Sequence, residues 1–438
     1  MKSFIFIVFI ILNFLPCVFA KPVYINTDFF KKFNDEYLIE YIYRTIQNNH
    51  QIKEANSRVE RFRYEVKKAV ADEFPELSVN ANYLGTHFPP DDENIFIKRN
   101  SFILPFLANW EIDLLLKNKD KIKSKEALYK AELANQKATY ISLLSDVASA
   151  YINILLHDYL IEKQKNILKN KNQNIDLENK KVKFGISDVF TLNKEKEKLK
   201  DEIDYFDNLV KNQKTMLYNF STLIGESAVN FEEIKRGKIE DFDYTESIPE
   251  IICSDLIYSR PDVIEAENRL KSAKIDITRV KKEFFPKFNI IGLMFFDTAG
   301  GGNFFSWNSS FAFLLAGATQ DLFNGGRKIA NLKIKKARYK ELFEKYKQTD
   351  LVAIEEISNA LNLIKQDKNL EKSSREKLIL EKRNNALAKS KLDKGIISNS
   401  EYLDHEISLN QKEQVFANAK TSRLIDYITL YKALGGEL

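Results

Sequence analysis

Four long stretches of the chain contain neither glycine nor proline, and no other feature limits the possible folds as strongly. They are residues 115–184, 187–224, 327–394 and 396–434. Apolar side chains recur in them at intervals of three and four, which is typical of α-helices. A helix of about 70 residues is on the order of 100 Å long, far more than a globular domain needs. We therefore predict long helices that pack side by side as coiled coils or bundles.

Two other segments, residues 76–113 and 286–323, have the alternating pattern of β-strands and predict one hairpin in each half of the chain. The predicted tips are His87–Asn94 and Ala299–Asn303. Small polar side chains are expected together on an inward face, at Ser78, Asn80, Asn82, Ser306, Asn308 and Ser310. A soluble sheet with one buried face shows the same alternation. Strands of about 10 residues favour a transmembrane β-barrel instead.

The amino terminus predicts export from the cytoplasm. Residues 1–20 contain Lys2, an apolar run and a small residue at Ala20, as in a secretory signal peptide. A transmembrane anchor is the alternative, but the run is short for a span of about 20 residues. Lipidation at Cys17 is disfavoured because Pro16 precedes it. No later stretch approaches the length of an apolar membrane helix, so membrane insertion would require a barrel.

The charge pattern and the cysteines exclude several functional classes. The chain has 67 basic and 62 acidic residues spread along its length, which does not favour nucleic-acid binding. Its two cysteines and four histidines lie far apart in sequence, so neither a disulfide framework nor a metal site is predicted. We find no nucleophile, acid–base or phosphate-binding motif, and we expect neither catalysis nor a cofactor.

The chain also contains an internal repeat. Glu54-Ala55 recurs as Glu265-Ala266, and Phe74-Pro75 recurs as Phe285-Pro286, each 211 residues later. Ile186-Ser187 is assigned to Ile397-Ser398 at the same offset. We therefore expect a first repeat over 21–226, a linker over 227–255 and a second repeat over 256–438.

Closing a barrel requires more strands than one chain supplies. Two hairpins give four strands, whereas the smallest membrane barrels have about eight. An open sheet edge in lipid would leave backbone groups without hydrogen bonds, so several chains must associate. Three chains would give about twelve strands and a lumen wide enough for water, which the polar inward face favours.

The sequence resembles the TolC-like outer-membrane factors, also called outer membrane efflux proteins. The similarity extends from about Phe33 to Gly436 and is most specific at Arg260-Pro261-Asp262, with Pro75 and Pro286 after the helices. Further matches lie around Trp110, at Gly325-Gly326-Arg327 and at Leu434-Gly435-Gly436. The family has Gly-Lys or Gly-Arg after the first hairpin, where this chain has Leu116-Lys117, so that bend is expected to differ.

The resemblance implies a mixed α and β fold with two structural repeats. A 12-stranded transmembrane β-barrel, four strands per chain of a homotrimer, would continue into a long α-helical coiled-coil barrel. Residues 227–255 would form a belt around its middle. The protein would lie in the outer membrane, extend into the periplasm and bind a periplasmic adaptor and an inner-membrane RND or ABC-type pump. The expected function is efflux or type I secretion, and the substrate stays open.

The resemblance also implies roles at the helix tips. Glu401 and Asp404 match the acidic positions of a periplasmic gate, and three residues apart on a helix they share a face. Asp188 in the first repeat is a candidate partner for a basic residue across the tip. Gly185, Ser187, Gly395 and Ser398 are small enough to let an adaptor approach closely. The alternative is that Glu401 and Asp404 are ordinary solvated helix residues.

The alternative function is that of a structural protein. An exported coiled-coil scaffold with small soluble sheets would share the helices and the signal peptide but would form no pore. Cell fractionation distinguishes the two, because a scaffold is soluble in the periplasm and a barrel is in the outer membrane.

Overall fold

The computed structural model describes residues 27–84, 101–227, 234–244, 255–297, 307 and 310–437. Several sequence-based predictions lie outside these residues: the signal peptide, both hairpin tips, Cys17, Cys253, Ser306 and Asn308. In the described part the chain is mostly helical. The helices are α1 (Asp28–Lys31), α2 (Glu36–Asn48), α3 (His50–Ala71), α4 (Lys117–Lys183), α5 (Val189–Leu223), α6 (Asp255–Tyr258), α7 (Pro261–Lys282), α8 (Arg327–Asp393) and α9 (Asn399–Ala433).

The four stretches without glycine and proline are the helices α4, α5, α8 and α9, as predicted. Their lengths match in the two halves of the chain. The helices α4 and α8 each have 67 residues, and α5 and α9 each have 35. The helices that precede the sheet, α3 and α7, have 22 residues each.

Each long helix ends in the same tight turn before the next helix begins. Gly185 and Gly395 adopt left-handed backbone angles, with φ of 71° and 70°. The amide of the following isoleucine donates back to the carbonyl of Lys181 or Lys391, 2.9 Å in both cases, which is the Schellman arrangement. Asp188 and Ser398 then cap α5 and α9. The caps lie 210 residues apart, so the assignment of Ser187 to Ser398 is wrong by one residue.

The helices α5 and α3 stack end to end. At the end of α5, Gly225 lies against the backbone of Asn48 and Asn49, where an added Cβ would be 2.6 Å from the Asn48 carbonyl carbon. The Asn49 side-chain amide donates to the Leu223 carbonyl at 2.7 Å. This contact joins the carboxyl end of α5 to the amino end of α3, so the two short helices continue one another beside the long helix α4.

The second half of the chain repeats this junction with different side chains. Gly435 lies against Arg260 and Pro261, where an added Cβ would be 2.7 Å from the Pro261 Cδ. The Arg260 guanidinium donates to the Ala433 carbonyl at 2.6 Å. The helices α9 and α7 are therefore joined as α5 and α3 are.

The core lies along the middle of α4, which packs against α3, α5, α7 and α9. Tyr151 and Leu144 on this helix are fully buried, together with Phe29, Phe220 and Tyr431 from other elements. One window of α4 is long and apolar enough to cross a membrane, although the sequence predicted none. That window is 61% buried among the other helices, so its apolarity is explained by core packing.

The strands form one antiparallel sheet. They are β1 (Glu76–Val79), β2 (Asn82–Leu84), β3 (Ser101–Ile112), β4 (Lys287–Asp297) and β5 (Ser310–Thr319). β1 and β2 both pair with β3, which pairs with β4, which pairs with β5. The pairing of β3 with β4 joins the two predicted hairpins side by side.

The register divides the sheet into two faces. The Trp110 face contains alternate residues of β3 and their partners, among them Val79, Phe106, Met294 and Ala312. The Glu111 face contains the residues between them, among them Ser78, Leu107, Leu293 and Phe313.

The predicted grouping of Ser310 with Ser78 on one face of the sheet is wrong. Ser310 pairs with Phe296, which pairs with Leu104, so Ser310 lies on the Trp110 face and not beside Ser78. Phe311 and Phe313 instead share the face of Ser78. Polarity alone could not decide this, because the face of a strand residue depends on the register with its neighbours.

Candidate functional site

The predicted gate acids lie in the first turns of α9 but have different surroundings. Glu401 is exposed, and its backbone amide donates to the capping Ser398 hydroxyl at 3.2 Å. Asp404 accepts from the Asn174 side-chain amide of α4 at 2.8 Å. Asp404 is exposed as well, but partial desolvation of its carboxylate beside α4 raises its pKa above the ordinary range, while the bond from Asn174 opposes that shift. The structure thus places Asp404 against the long helix of the first half.

Asp188 lies directly before α5, and its pairing with a basic residue across the tip stays a prediction. Its carboxylate accepts from the Thr191 amide at 2.8 Å and from the Thr191 hydroxyl at 3.0 Å. These bonds lower the pKa of Asp188. The carboxylate therefore caps α5, and the structure shows no pairing with a base across the tip among the described residues.

The small residues of the tips are positioned as turn formers. Gly185 and Gly395 have no atom within 4 Å of where a Cβ would stand, so both turns are open to the outside. The Ser187 hydroxyl donates to Glu178 on α4. The tips thus combine exposed backbone with side chains that hold the turn.

Sequence reasoning missed the apolar character of the first tip. Phe184, Ile186 and Phe190 are 80%, 75% and 79% exposed. The second tip has one comparable residue, Ile396, at 65%. Three large apolar side chains around one exposed turn are unusual for a solvated surface and are typical of a binding surface. The signal was available, because two aromatic residues flank a predicted turn.

The Arg-Pro-Asp motif has a structural role. Pro261 occupies the first position of α7, where a missing amide hydrogen costs nothing. Arg260 is buried, and besides the Ala433 carbonyl it binds Asp262 at 2.7 Å and Glu356 at 2.6 Å. A guanidinium has enough donors to bind all three. The motif therefore ties the start of α7 to α8 and to the end of α9.

The two Phe-Pro segments connect a helix to a strand in the same way. Pro75 and Pro286 each precede the first residue of a strand. The Trp110 indole donates to the Glu73 carbonyl at 2.9 Å, and the Gln320 amide donates to the Phe284 carbonyl at 2.9 Å. Each bond satisfies a carbonyl at the end of the helix before the proline.

A hollow of about 830 Å³ lies where the sheet meets the helices. Its strand residues all belong to the Glu111 face: Glu76, Asn109, Glu111 and Lys287. Most of its helix residues are charged, and one of them, Lys121, pairs with Asp72 just after α3. The Glu111 face is thus the side of the sheet that borders this hollow.

A buried group of charges joins α8, α9 and residues 234–244. Lys420 donates to the carbonyls of Ile239 and Glu240 at 3.1 and 3.0 Å. Arg423 forms ion pairs with Glu371 and Asp243. Burial next to Asp367 raises the pKa of Asp426 to about 7. Residues 234–244 are thereby fixed against the middle of the helices.

The fold is similar to that of solved outer-membrane channels. The structure aligns with the Campylobacter jejuni outer membrane channel CmeC at a TM-score of 0.83 and 20% identity, covering 97% of this chain and 91% of that one. It aligns with the open state of the Neisseria gonorrhoeae MtrE channel at a TM-score of 0.79 and 21% identity, covering 92% and 89%.

The family model of outer membrane efflux proteins matches residues 41–225 and 252–436, so the chain belongs to this family. It is similar to the cation efflux system protein CusC of Escherichia coli K12, with 24% identity over 95% of this chain and 90% of that protein. It is also similar to the toluene efflux pump outer membrane protein TtgC of Pseudomonas putida, with 23% identity over 92% and 84%. The chain is therefore an outer-membrane efflux channel protein, and the family is one of transport channels and not of enzymes.

Proposed function

We propose that three copies of this chain form one channel-tunnel, with a 12-stranded barrel in the membrane and a helical tunnel extending into the periplasm. The observation that carries the trimer is the unburied side of α8. Leu363 and Leu370 are 43% and 52% exposed and lie seven residues apart, as do Leu380 and Leu387. Residues at this spacing form one apolar stripe on a helix, which a neighbouring helix covers in a coiled coil.

The edges of the sheet support the same assembly. The outermost strands are β1 with β2 on one side and β5 on the other. In lipid, the free backbone groups of such edges would cost several kcal/mol each unless another chain pairs with them. Pairing of β5 with β1 and β2 of the next copy would satisfy both edges and close the barrel.

The domain organisation belongs to the same proposal. Two matched segments of the family model, equal helix lengths and two equivalent helix junctions support a duplicated unit. Residues 227–255 form the belt in this proposal. Residues 234–244 of this segment pack against the middle of the helices and contain no helix or strand.

Membrane fractionation and an unboiled gel test the assembly. We expect the protein in the outer-membrane fraction, as a band of three times the chain mass that falls to the monomer on heating. The purified band should conduct ions in planar bilayers. A soluble periplasmic monomer would favour the scaffold alternative.

Glu401 and Asp404 are proposed as the periplasmic gate, with Asp188 holding the facing turn as the cap of α5. In a trimer the two acids would present six carboxylates near the tunnel end and favour cations. We expect Glu401→Gln with Asp404→Asn to change the conductance and lower the cation preference in planar bilayers. Glu341→Gln with Glu344→Gln is the matched control, because these exposed acids are also three residues apart. Unchanged selectivity of the gate variant would remove the assignment.

The tips are proposed as the docking site of a periplasmic adaptor, which connects the channel to an inner-membrane RND or ABC-type pump. The exposed apolar side chains of the first tip support this, because such a surface is stabilised by contact with a partner. A cysteine at Ser187 or Ser398 should form a crosslink with the adaptor, and one at Lys238 in the belt should not. Crosslinking only at Lys238 would contradict the proposal.

A further inference from the structure

The Glu111 face changes character along the strands. Near the helices it is polar, with Glu111 pairing with Asn289. Farther from the helices it is apolar on three adjacent strands, where Leu107 pairs with Leu293 and Leu293 with Phe313. Phe295 and Phe311 form the next pair. We call Leu107, Leu293, Phe295, Phe311 and Phe313 the inner patch.

The three phenylalanines of the inner patch form a continuous aromatic surface. The ring centroids of Phe295 and Phe311 are 5.2 Å apart, and those of Phe311 and Phe313 are 6.0 Å apart. Phe311 and Phe313 are 53% and 43% exposed. Because Phe311 and Phe313 are this exposed, part of each ring is available to a further aromatic group.

The direction in which the inner patch faces follows from the other residues of the two faces. The Glu111 face borders the hollow between the sheet and the helices and carries the polar residues at that end, as the wall of a water-filled lumen requires. The Trp110 face is apolar from Phe288 next to the helices to Leu314 farther along, as contact with lipid requires. In the proposed channel the Trp110 face thus contacts lipid, and the inner patch borders the lumen.

Beside the inner patch, β1 and β2 place polar residues on the Glu111 face. Ser78 lies directly across from Leu107, and Asn82 lies across from Ile103, on the same Glu111 face. In a closed trimer, three apolar patches would alternate with three polar strips around the lumen. Such a wall keeps water in the pore and offers apolar contact at the same time.

We propose that the inner patch is a low-affinity binding site for aromatic organic solutes in transit through the barrel. This inference rests on the proposed trimeric channel. The expected ligand has at least one exposed aromatic ring, because rings pack well on the surface of Phe295, Phe311 and Phe313. A small hydrated ion gains nothing from this surface, since apolar contact cannot replace its hydration.

Block of single-channel current by two cations of equal charge tests the site. Tetraphenylphosphonium has four aromatic rings and tetraethylammonium has none. We expect tetraphenylphosphonium to block the wild-type trimer at a concentration at least about tenfold lower, because burial of its rings is favourable. Phe311→Ser with Phe313→Ser should remove most of this difference. Leu314→Ser is the matched control, because Leu314 neighbours Phe313 and lies on the Trp110 face.

Equal block of the wild type by the two cations would overturn the inference, as would an unchanged difference in the double variant. Absence of trimers or of conductance in the wild type would instead overturn the proposed channel, and the inference with it.

A second measurement does not depend on the double variant folding. In a chain with Cys253→Ser, reconstituted in lipid vesicles, Phe313→Cys should react with a membrane-impermeant maleimide and Leu314→Cys should be protected by lipid. The opposite pattern would show that the faces are reversed.

Discussion

The two halves of the chain begin their long helices after different residues. The helix α8 begins after Gly326 with a φ of 80°, and α4 begins after Leu116 with a φ of 58°. Both residues have left-handed backbone angles. The bend at Leu116, which was expected to differ, therefore has the same handedness as the bend at Gly326. Asp113 compensates by accepting from the Lys117 amide at 2.6 Å and the Lys119 amide at 3.0 Å, which satisfies the start of the helix.

Leu116→Gly should stabilise the protein. A left-handed conformation costs a residue with a Cβ about 1 kcal/mol of free energy, whereas glycine adopts it freely. We expect the midpoint of thermal unfolding in detergent to rise, corresponding to a gain of about 1 kcal/mol. Gly326→Leu is the reciprocal variant and should lower the midpoint. A fall of the midpoint in Leu116→Gly would mean that the exposed leucine side chain contributes more than the backbone costs.

Asp426 should make the stability depend on pH. Its pKa is raised to about 7 in the folded protein, so the folded state holds a proton that the unfolded state releases near pH 4. The stabilisation is complete below about pH 4 and is lost as the pH rises through 7. Asp426→Asn should therefore raise the free energy of unfolding at pH 8 by about 1–3 kcal/mol and change it little at pH 4. Equal effects at both pH values would contradict this assignment.

Among the elements, the helices were predictable to within a few residues and the faces of the sheet were not. The ends of α4 and α8 follow from glycines at 185 and 395 and from the turns before residues 117 and 327. For the sheet, β5 has apolar residues at both odd and even positions, such as Phe313 and Leu314. Only pairing with β4 assigns each position to a face, and that pairing joins residues far apart in sequence.

The helix junctions were not predictable either. Arg260 was recognised as part of a motif, but its contacts with Ala433 and Glu356 depend on how α7, α8 and α9 meet. The equivalent first-half contact, from Asn49 to Leu223, uses a different residue type, so no shared motif exists to be read from the sequence.

Arg260→Met tests the second junction. It keeps the length and apolar stem of the side chain but leaves the Ala433 carbonyl without its donor. We expect a loss of about 2–3 kcal/mol in unfolding free energy, since hydrogen bonds to charged groups contribute about 1.5–3 kcal/mol. Arg338→Met, at an exposed arginine on α8, should change stability little. A loss of equal size in both variants would argue against a special role of the junction.

For the whole molecule, the apolar stripe of α8 connects the fold of one chain to the proposed trimer. Leu363→Glu with Leu370→Glu should leave the chain folded, because both side chains are largely exposed in it. Burying two carboxylates between helices is costly, so the trimer band on an unboiled gel should disappear. Lys365→Gln with Lys372→Gln changes the charge equally at another exposed pair seven residues apart. A heat-stable trimer in the leucine variant would rule out this stripe as the interface.

The equal helix lengths have a consequence for how such a molecule can change in size. A seven-residue insertion in both α4 and α5, with none in α8 and α9, would lower one turn by about 10 Å relative to the turn after α8. The turns at the periplasmic end of the proposed channel would then lie at two different levels. A ring-shaped partner could contact only every second turn. The length of the helical tunnel in the proposed channel can therefore change only if both halves of the gene change together.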